Sequence, residues 1–343
     1  MCGRTQQNKM KVFITGIAGF LGSHIADAMI AEGHEVSGCD NLIGGYVDNV
    51  PEDADYYQAD CNDYDKMVQL TKGADIVYHT ACTAYEGLSV FSPRLVCNHT
   101  YMNTVSIATA AIANGVRRFV YCSSMARYGE QEKVPFTEDM LCRPQDPYGI
   151  SKYSAEQILR CLCDVHGMEL VIAVPHNIIG PRQKYDDPYR NVASIMINMM
   201  LQGRQPIIYG DGEQRRCFSF VQDDVYCLTK LAFLDNIAGE VINIGPDEEF
   251  VSINELASVI SGLLDFKLHP VYMPDRPQEV KLATCSADKA RAMLGYKTEF
   301  TLEQGLAEMV GYIKGKGVKK FRYHLPIEII SDKTPKTWKD RMF

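Results

Sequence analysis

Apolar and polar positions alternate along the first half of the chain in two rhythms. Short apolar runs (KVFITG, HEVSGCD, ADIVYHTA, RRFVYCSS, LVIAVPHN) read as buried strands. Between them, FLGSHIADAMIAEG, NTVSIATAAIANG and SKYSAEQILRCLCDVHG carry helix-spaced apolar positions, and each ends at a glycine. Strands alternating with helices predict a parallel sheet covered on both faces. The rhythm changes after residue 175: GPRQKYDDPYRN reads as loop, NVASIMINMMLQG as a helix, PIIYGDGEQRRCFSF as a strand and a glycine-containing turn, and VINIG as a short strand. In SINELASVISGLL, Ser252 and Glu255 form a capping-box pattern. The fold class expected is α/β, a Rossmann-type doubly wound parallel sheet with a smaller C-terminal mixed α/β substrate domain. Residues 1–9 read as a disordered lead, 10–174 plus about 217–250 as the sheet domain, about 175–216 plus 251–315 as the smaller domain, and 316–343 as a tail.

Composition narrows the class. The chain has 343 residues, 46% hydrophobic and 23% charged, and a formal net charge of −8. That balance leaves no electrostatic footprint for nucleic acid or an anionic membrane. No apolar run reaches the length of a membrane span, and the polar start is unlike a secretory signal. The twelve cysteines are scattered with no CxxC pair, so neither a disulfide framework nor a metal site is expected; they read as small buried hydrophobes in a reducing cytoplasm. The methionines of NVASIMINMMLQG read as core filler, and the partly basic tail is assigned no function.

Candidate chemistry begins where the first strand runs into TGIAGFLG. Gly16, Gly19 and Gly22 follow a strand, open a helix and precede a second strand ending at Asp40, 18 positions after Gly22. Glycines let backbone amides approach a pyrophosphate, and the helix N-terminus adds partial positive charge. A carboxylate at Asp40 accepts hydrogen bonds from ribose hydroxyls and repels a 2′-phosphate, so NAD is favoured over NADP. Further on, DPYGISK sets Tyr148 four residues before Lys152. That spacing alone also fits a half-buried ring beside a solvated cation.

Taken together, TGIAGFLGSH, CDN, ADCND, YHTAC, VYCSS, YGISK, HNIIGPR, YGDGEQRRCFSFVQDD, INIG and PDRPQEV resemble the extended short-chain dehydrogenase/reductase family, in particular the nucleotide-sugar epimerases and dehydratases, from about residue 10 to 315. The resemblance implies catalytic roles for Ser124, Tyr148 and Lys152, with Tyr148 the acid/base and Lys152 its tuner. It implies cofactor contacts at Gly16, Gly19, Phe20, Leu21, Asp40, Asn41 and Pro175, adenine contacts at Asp60 and Cys61, and contacts beside the nicotinamide ribose at Thr80, Ala81 and Cys82. Substrate contacts are implied at Ala84, Glu86, Ser124, Met125, Tyr148, Asn177 and Val192, and at Arg216 and Arg276, whose guanidinium forks suit a diphosphate. Thr100 falls where a cofactor-facing Asn is common.

The same resemblance addresses the reaction. Dehydratases carry an Asp-Glu pair after the catalytic Ser/Thr, and decarboxylases a Glu two residues after it. Here Met125 and Ala126 stand there, and neither moves a proton. What remains is inversion at C4 of a UDP-hexose through a 4-keto intermediate. Asn177, and a small Ala283 where a large Tyr excludes N-acetyl groups, point to UDP-GlcNAc/GalNAc together with UDP-Glc/Gal. The alternatives are a decarboxylase, a dehydratase or a GDP-sugar 3,5-epimerase, the last two of which Glu86 as an extra proton-transfer group would serve, and a non-catalytic NAD-binding regulatory protein, which would not need Ser124, Tyr148 and Lys152. A cytoplasmic homodimer paired through helices near 101–114 and 149–165 is also implied.

Overall fold

The computed structural model describes residues 9–343, so most of the expected lead, 1–8, lies outside the described residues. Among those described, seven strands form one parallel sheet: β1 (Lys11–Thr15), β2 (Glu35–Asp40), β3 (Asp55–Gln58), β4 (Ile76–His79), β5 (Arg118–Cys122), β6 (Glu169–Pro175) and β7 (Val241–Ile244). Their order across the sheet is β7-β6-β5-β4-β1-β2-β3. This is the doubly wound Rossmann-type arrangement. The order reverses between β1 and β4, where Val12 pairs with Ile76 and Phe13 with Val77, and a crevice opens beyond the carboxyl ends of the strands at such a reversal.

Strand alternation builds a core on each face. Val12, Ile14, Tyr78 and Val120 point to one side, where α1 (Phe20–Ala31) and α6 (Val221–Phe233) cover them. Phe13, Val77, Phe119 and Tyr121 point to the other, under α3 (Asn103–Ala113) and α4 (Pro147–His166). Both faces are buried, which is why these strands read as continuous apolar runs. Between α1 and α3 lies α2 (Tyr64–Leu70), and between α4 and α6 lies α5 (Val192–Leu201).

The helix α4 starts earlier than its apolar period shows. Asp146 accepts hydrogen bonds from the amides of Tyr148 (2.9 Å) and Gly149 (3.0 Å), and Pro147 occupies the first turn. An N-capping carboxylate followed by proline is a strong helix start. The edge strand β3 was not expected: DYYQ is mostly exposed, so no hydrophobic pattern marks it.

The second lobe packs α5 against α7 (Ile253–Leu264) and α8 (Leu302–Lys316) through Met196, Met200, Leu256, Ile260, Leu306 and Met309. Both α7 and α8 begin with a capping box, Ser252/Glu255 and Thr301/Gln304. Three two-residue strands, Arg215–Arg216, Val251–Ser252 and Leu282–Ala283, make a small sheet, and Ile207–Tyr209 pairs with Val271–Met273. Beyond α8, residues 317–343 lie against both lobes, where Glu328 accepts from the amides of Arg94 and Leu95, and bury Leu325, Thr337 and Trp338. Eleven cysteines among the described residues are free, most of them buried. No described helix is long and apolar enough to cross a membrane.

The turn from β1 to α1 has no room for a side chain: a Cβ on Gly22 would lie 2.2 Å from the Gly16 carbonyl oxygen. Gly22→Ala is therefore expected to destabilise the fold by about 1–3 kcal/mol, the usual range for overpacking, as read from the midpoint of urea unfolding.

Candidate active site

The carboxyl ends of β1, β4, β5 and β6 border one cleft of about 430 Å³. At one end lies the glycine turn. Gly16 adopts φ +75°, a conformation that favours glycine, and its amide donates to the Cys39 carbonyl (2.7 Å). Asp40 closes this end. Its carboxylate accepts from the amides of Ala18 (3.1 Å) and Leu42 (2.7 Å), which fixes it across the turn. Burial pushes the Asp40 carboxyl up, against those amide hydrogen bonds and one from Gly19. Next to it Asn41 donates to Asp60 (2.9 Å), and His99 lies 3.3 Å from the same carboxylate. The hydrogen bond from His99 holds Asp60 well below the usual carboxylate range, and Asp60 in turn raises His99.

In the middle, Thr80, Ala81 and Cys82 leave β4. The Thr80 hydroxyl donates to the Thr15 carbonyl (2.6 Å), and Asn103 donates to the Ala81 carbonyl (3.0 Å). The Asn103 side-chain oxygen is buried without a protein partner in a residue that lines the cleft. Ser124 follows β5, and its hydroxyl accepts from the Ala126 amide (3.2 Å), turning the chain there. Tyr148 sits in the first turn of α4. One turn later the Lys152 ammonium donates to the Cys122 carbonyl (2.7 Å) and lies 4.9 Å from the Tyr121 ring centre. Burial pushes the Tyr148 hydroxyl well above its ordinary range, Cys82 adds to the rise, and a hydrogen bond with Ser124 opposes it. Sequence reasoning expected Lys152 to draw this phenol down. In the structure the ammonium is committed to a backbone carbonyl, and the larger downward pulls come from Ser124 and Arg190.

The far end is charged. Arg276 pairs with Glu279 (3.0 Å) and lies over the Tyr209 ring (4.6 Å). Arg216 donates to the Val280 carbonyl (2.6 Å), and Arg190 donates to the Ala84 carbonyl (3.2 Å). Asn177 sits in the left-handed region (φ 46°), which asparagine tolerates, and donates to the Cys217 carbonyl (3.0 Å). Glu86 is open to the cleft yet walled in by protein. Burial pushes its carboxyl up to about 7; Asp146 adds to the rise, and Arg216 and Arg276 oppose it.

The cleft thus runs from a glycine-lined helix start with a ribose-type carboxylate, past a serine and a buried tyrosine, to two arginines. Residues 12–245 match the sequence profile described as the NAD dependent epimerase/dehydratase family. The UDP-glucose 4-epimerase of Mycolicibacterium smegmatis is 30% identical over 90% of this chain and 99% of its own. The crystal structure of a UDP-glucose 4-epimerase from Thermotoga maritima with UDP-glucose superposes with a TM-score of 0.85 at 31% identity, over 90% of this chain and 99% of that one. A UDP-N-acetyl-alpha-D-glucosaminuronate decarboxylase of Bacillus cytotoxicus is 29% identical over 89% of this chain and 98% of its own.

The chain belongs to the NAD dependent epimerase/dehydratase family. Its cofactor is NAD, and the site fits it: Gly16, Gly19 and Gly22 line the cleft without side chains where α1 opens, Asp40 is placed for ribose hydroxyls, and the free Asn103 oxygen offers an acceptor midway. Every residue the family resemblance set at the cofactor lines this cleft, as do Ala84, Glu86, Ser124, Asn177, Val192, Arg216 and Arg276.

Two expected positions lie elsewhere. Met125 does not line the cleft: the turn capped by Ser124 directs it into the core, where its sulfur lies 3.6 Å from the Asn177 amide nitrogen. Ala283 is buried in the same core and does not border the cleft, so its small side chain does not itself open space beside a sugar. Thr100 is also buried away from the cleft, against Thr83. The cleft-lining amide is Asn103, one helical turn on, and together with His99 it was missed. The i+3 spacing from Thr100 was the available signal.

A diphosphate seated on Arg216 and Arg276 would share the two cations that favour ionised Glu86, so binding favours the protonated form. Affinity for a nucleotide sugar, whose diphosphate diester does not titrate near neutrality, is expected to be highest below about pH 7. Above that it should fall, by at most about tenfold per pH unit. Calorimetric titration across pH checks this, and Glu86→Gln should flatten the profile.

Proposed function

We propose that this enzyme inverts C4 of a UDP-hexose, of the UDP-Glc/Gal or UDP-GlcNAc/GalNAc type, through a 4-keto intermediate. The observation that carries the reading is the pairing of Ser124 and Tyr148 on one cleft wall, with no carboxylate in the two positions after Ser124. Bound NAD supplies the acceptor and donor of hydride. Tyr148, as the phenolate that the positive charge of bound NAD⁺ would favour against the burial that keeps it protonated, would take the proton of the O4 hydroxyl and return it, and Ser124 would hold the same oxygen. Arg216 and Arg276 anchor the diphosphate while the ketone presents its other face. The division of labour proposed is a first lobe for the cofactor and a second for the nucleotide sugar. The epimerase relatives support the reaction; the decarboxylase relative marks its rival.

Glu86 favours a different rival, a dehydratase. A cleft carboxyl near neutrality is fit to move a second proton, as elimination requires. Incubation with UDP- and GDP-sugars separates these readings, with products resolved by chromatography and mass. A C4 epimer of unchanged mass supports the proposal, whereas a product lighter by water or carbon dioxide overturns it. Tyr148→Phe should keep its NAD and lose at least about 10²-fold in rate, the usual contribution of a general acid–base group.

We also propose a homodimer built through α3 and α4. Met102, just before α3, and Ile150 and Val165 on α4 are exposed apolar side chains. Ile150→Asp is expected to shift sedimentation to the monomer, and a wild-type protein that sediments as a monomer refutes the pairing.

A further inference from the structure

The Thermotoga structure matches 90% of this chain but 99% of its own, so this chain carries length that the relative lacks. Residues 317–343 fall outside the recognisable motifs, yet the tail is built into the cleft wall. Thr337 exchanges a hydrogen bond with the Tyr209 hydroxyl (2.5 Å), and Tyr209 lies under Arg276. The Trp338 indole donates to the Pro188 carbonyl (3.3 Å), and the Tyr189 hydroxyl donates to the Leu325 carbonyl (3.3 Å). These contacts brace the segment that leads into Arg190.

The end of the tail goes further. The Phe343 amide donates to the Tyr323 hydroxyl (2.9 Å), and Arg204 donates to the Met342 carbonyl (2.6 Å). So held, Phe343 packs beside Ile195 and Ile207, and all three line the cleft. The arginine-bearing half of the cleft therefore has an apolar side, bordered by Ile195, Ile207 and Phe218, to which the tail adds the flat ring of Phe343. A diphosphate on the arginines carries a sugar on one side and a nucleoside on the other. The sugar must reach Tyr148, so the apolar side is left for the base.

We propose that Phe343 is a substrate-contacting residue whose ring forms one wall of the slot for the nucleobase. The tail 317–343 is the brace that sets this wall and the Tyr209–Arg276 pair beside it. The proposal rests on the nucleotide-sugar reading above.

The test titrates UDP and GDP into NAD-loaded protein by calorimetry and measures kcat and KM on whichever nucleotide sugar is turned over. Phe343→Ala should weaken nucleotide binding by about tenfold, as loss of aromatic–base stacking does. KM should rise in parallel while kcat stays within about twofold, the signature of lost uniform binding. Phe343→Leu keeps apolar volume without the flat ring. It should melt like wild type and still bind weakly, which a merely structural role does not produce. Wild-type affinity in either folded variant overturns the proposal. A wild type that binds nucleotide but turns over no sugar sinks the epimerase reading alone, because the binding comparison still decides for Phe343. A wild type that binds neither nucleotide sinks both.

Discussion

A Cβ on Gly149 would lie 2.6 Å from the Ala126 carbonyl oxygen, so the start of α4 presses directly on the turn that follows β5. That contact brings Tyr148 and Ser124, 24 positions apart in sequence, to one wall. Two further ties hold the junction. Lys152 donates to the Cys122 carbonyl at the end of β5, and Asp146 caps the first turn of α4 while also accepting from Ser89. The last tie reaches the loop that carries Glu86. Several chemically important side chains are therefore set by one helix start, and a shift there would move them together. Sites held this way, on packed elements rather than loops, keep the close tolerances that proton transfer needs.

The electrostatics follow from the same junction. Tyr148 is buried and held protonated, Glu86 is poised near neutrality, and Arg216 and Arg276 face them. In a cleft of this kind charges are weakly screened, so each bound charge redistributes protons among the others. The ammonium of Lys152 contributes here first as a structural tie. Any electrostatic help it gives Tyr148 acts from a position fixed by the Cys122 carbonyl.

Much of this architecture is legible in the sequence, for physical reasons. Strands buried on both faces read as apolar runs, helices as periodic ones, and the glycine turn as a spacing that close backbone approach requires. What escaped had no such mark. Edge strand β3 is exposed, and the N-terminal turn of α4 is apolar only in part and is announced by its cap rather than its period. Met125 and Ala283 were assigned from position along the chain. Position does not reveal which way a side chain turns within a 3-10 segment, or which side of a two-residue strand faces the cleft. Asn103 and His99 lie on a helical stretch whose register to the sheet is set by packing, so their exposure to the cleft had to be seen.

The tail ties the substrate side of the cleft to the first lobe. Its contacts fall on Pro188, Tyr189 and Tyr209, and equally on the first lobe: Glu328 accepts from the amides of Arg94 and Leu95, Ser92 donates to the Pro326 carbonyl, and a Cβ on Gly87 would lie 3.6 Å from the Trp338 ring. The glycine turn, Asp40 and the α4 junction are held by partners in the first lobe. Aromatic packing joins the two lobes: Trp338 stacks edge-on against Phe91 of the first lobe and Tyr189 of the second, and burial of such a ring anchors the tail. A change in the tail therefore reaches the 86–95 segment as well as Tyr209 and Arg276, and the Ser89–Asp146 hydrogen bond ties that segment to the start of α4.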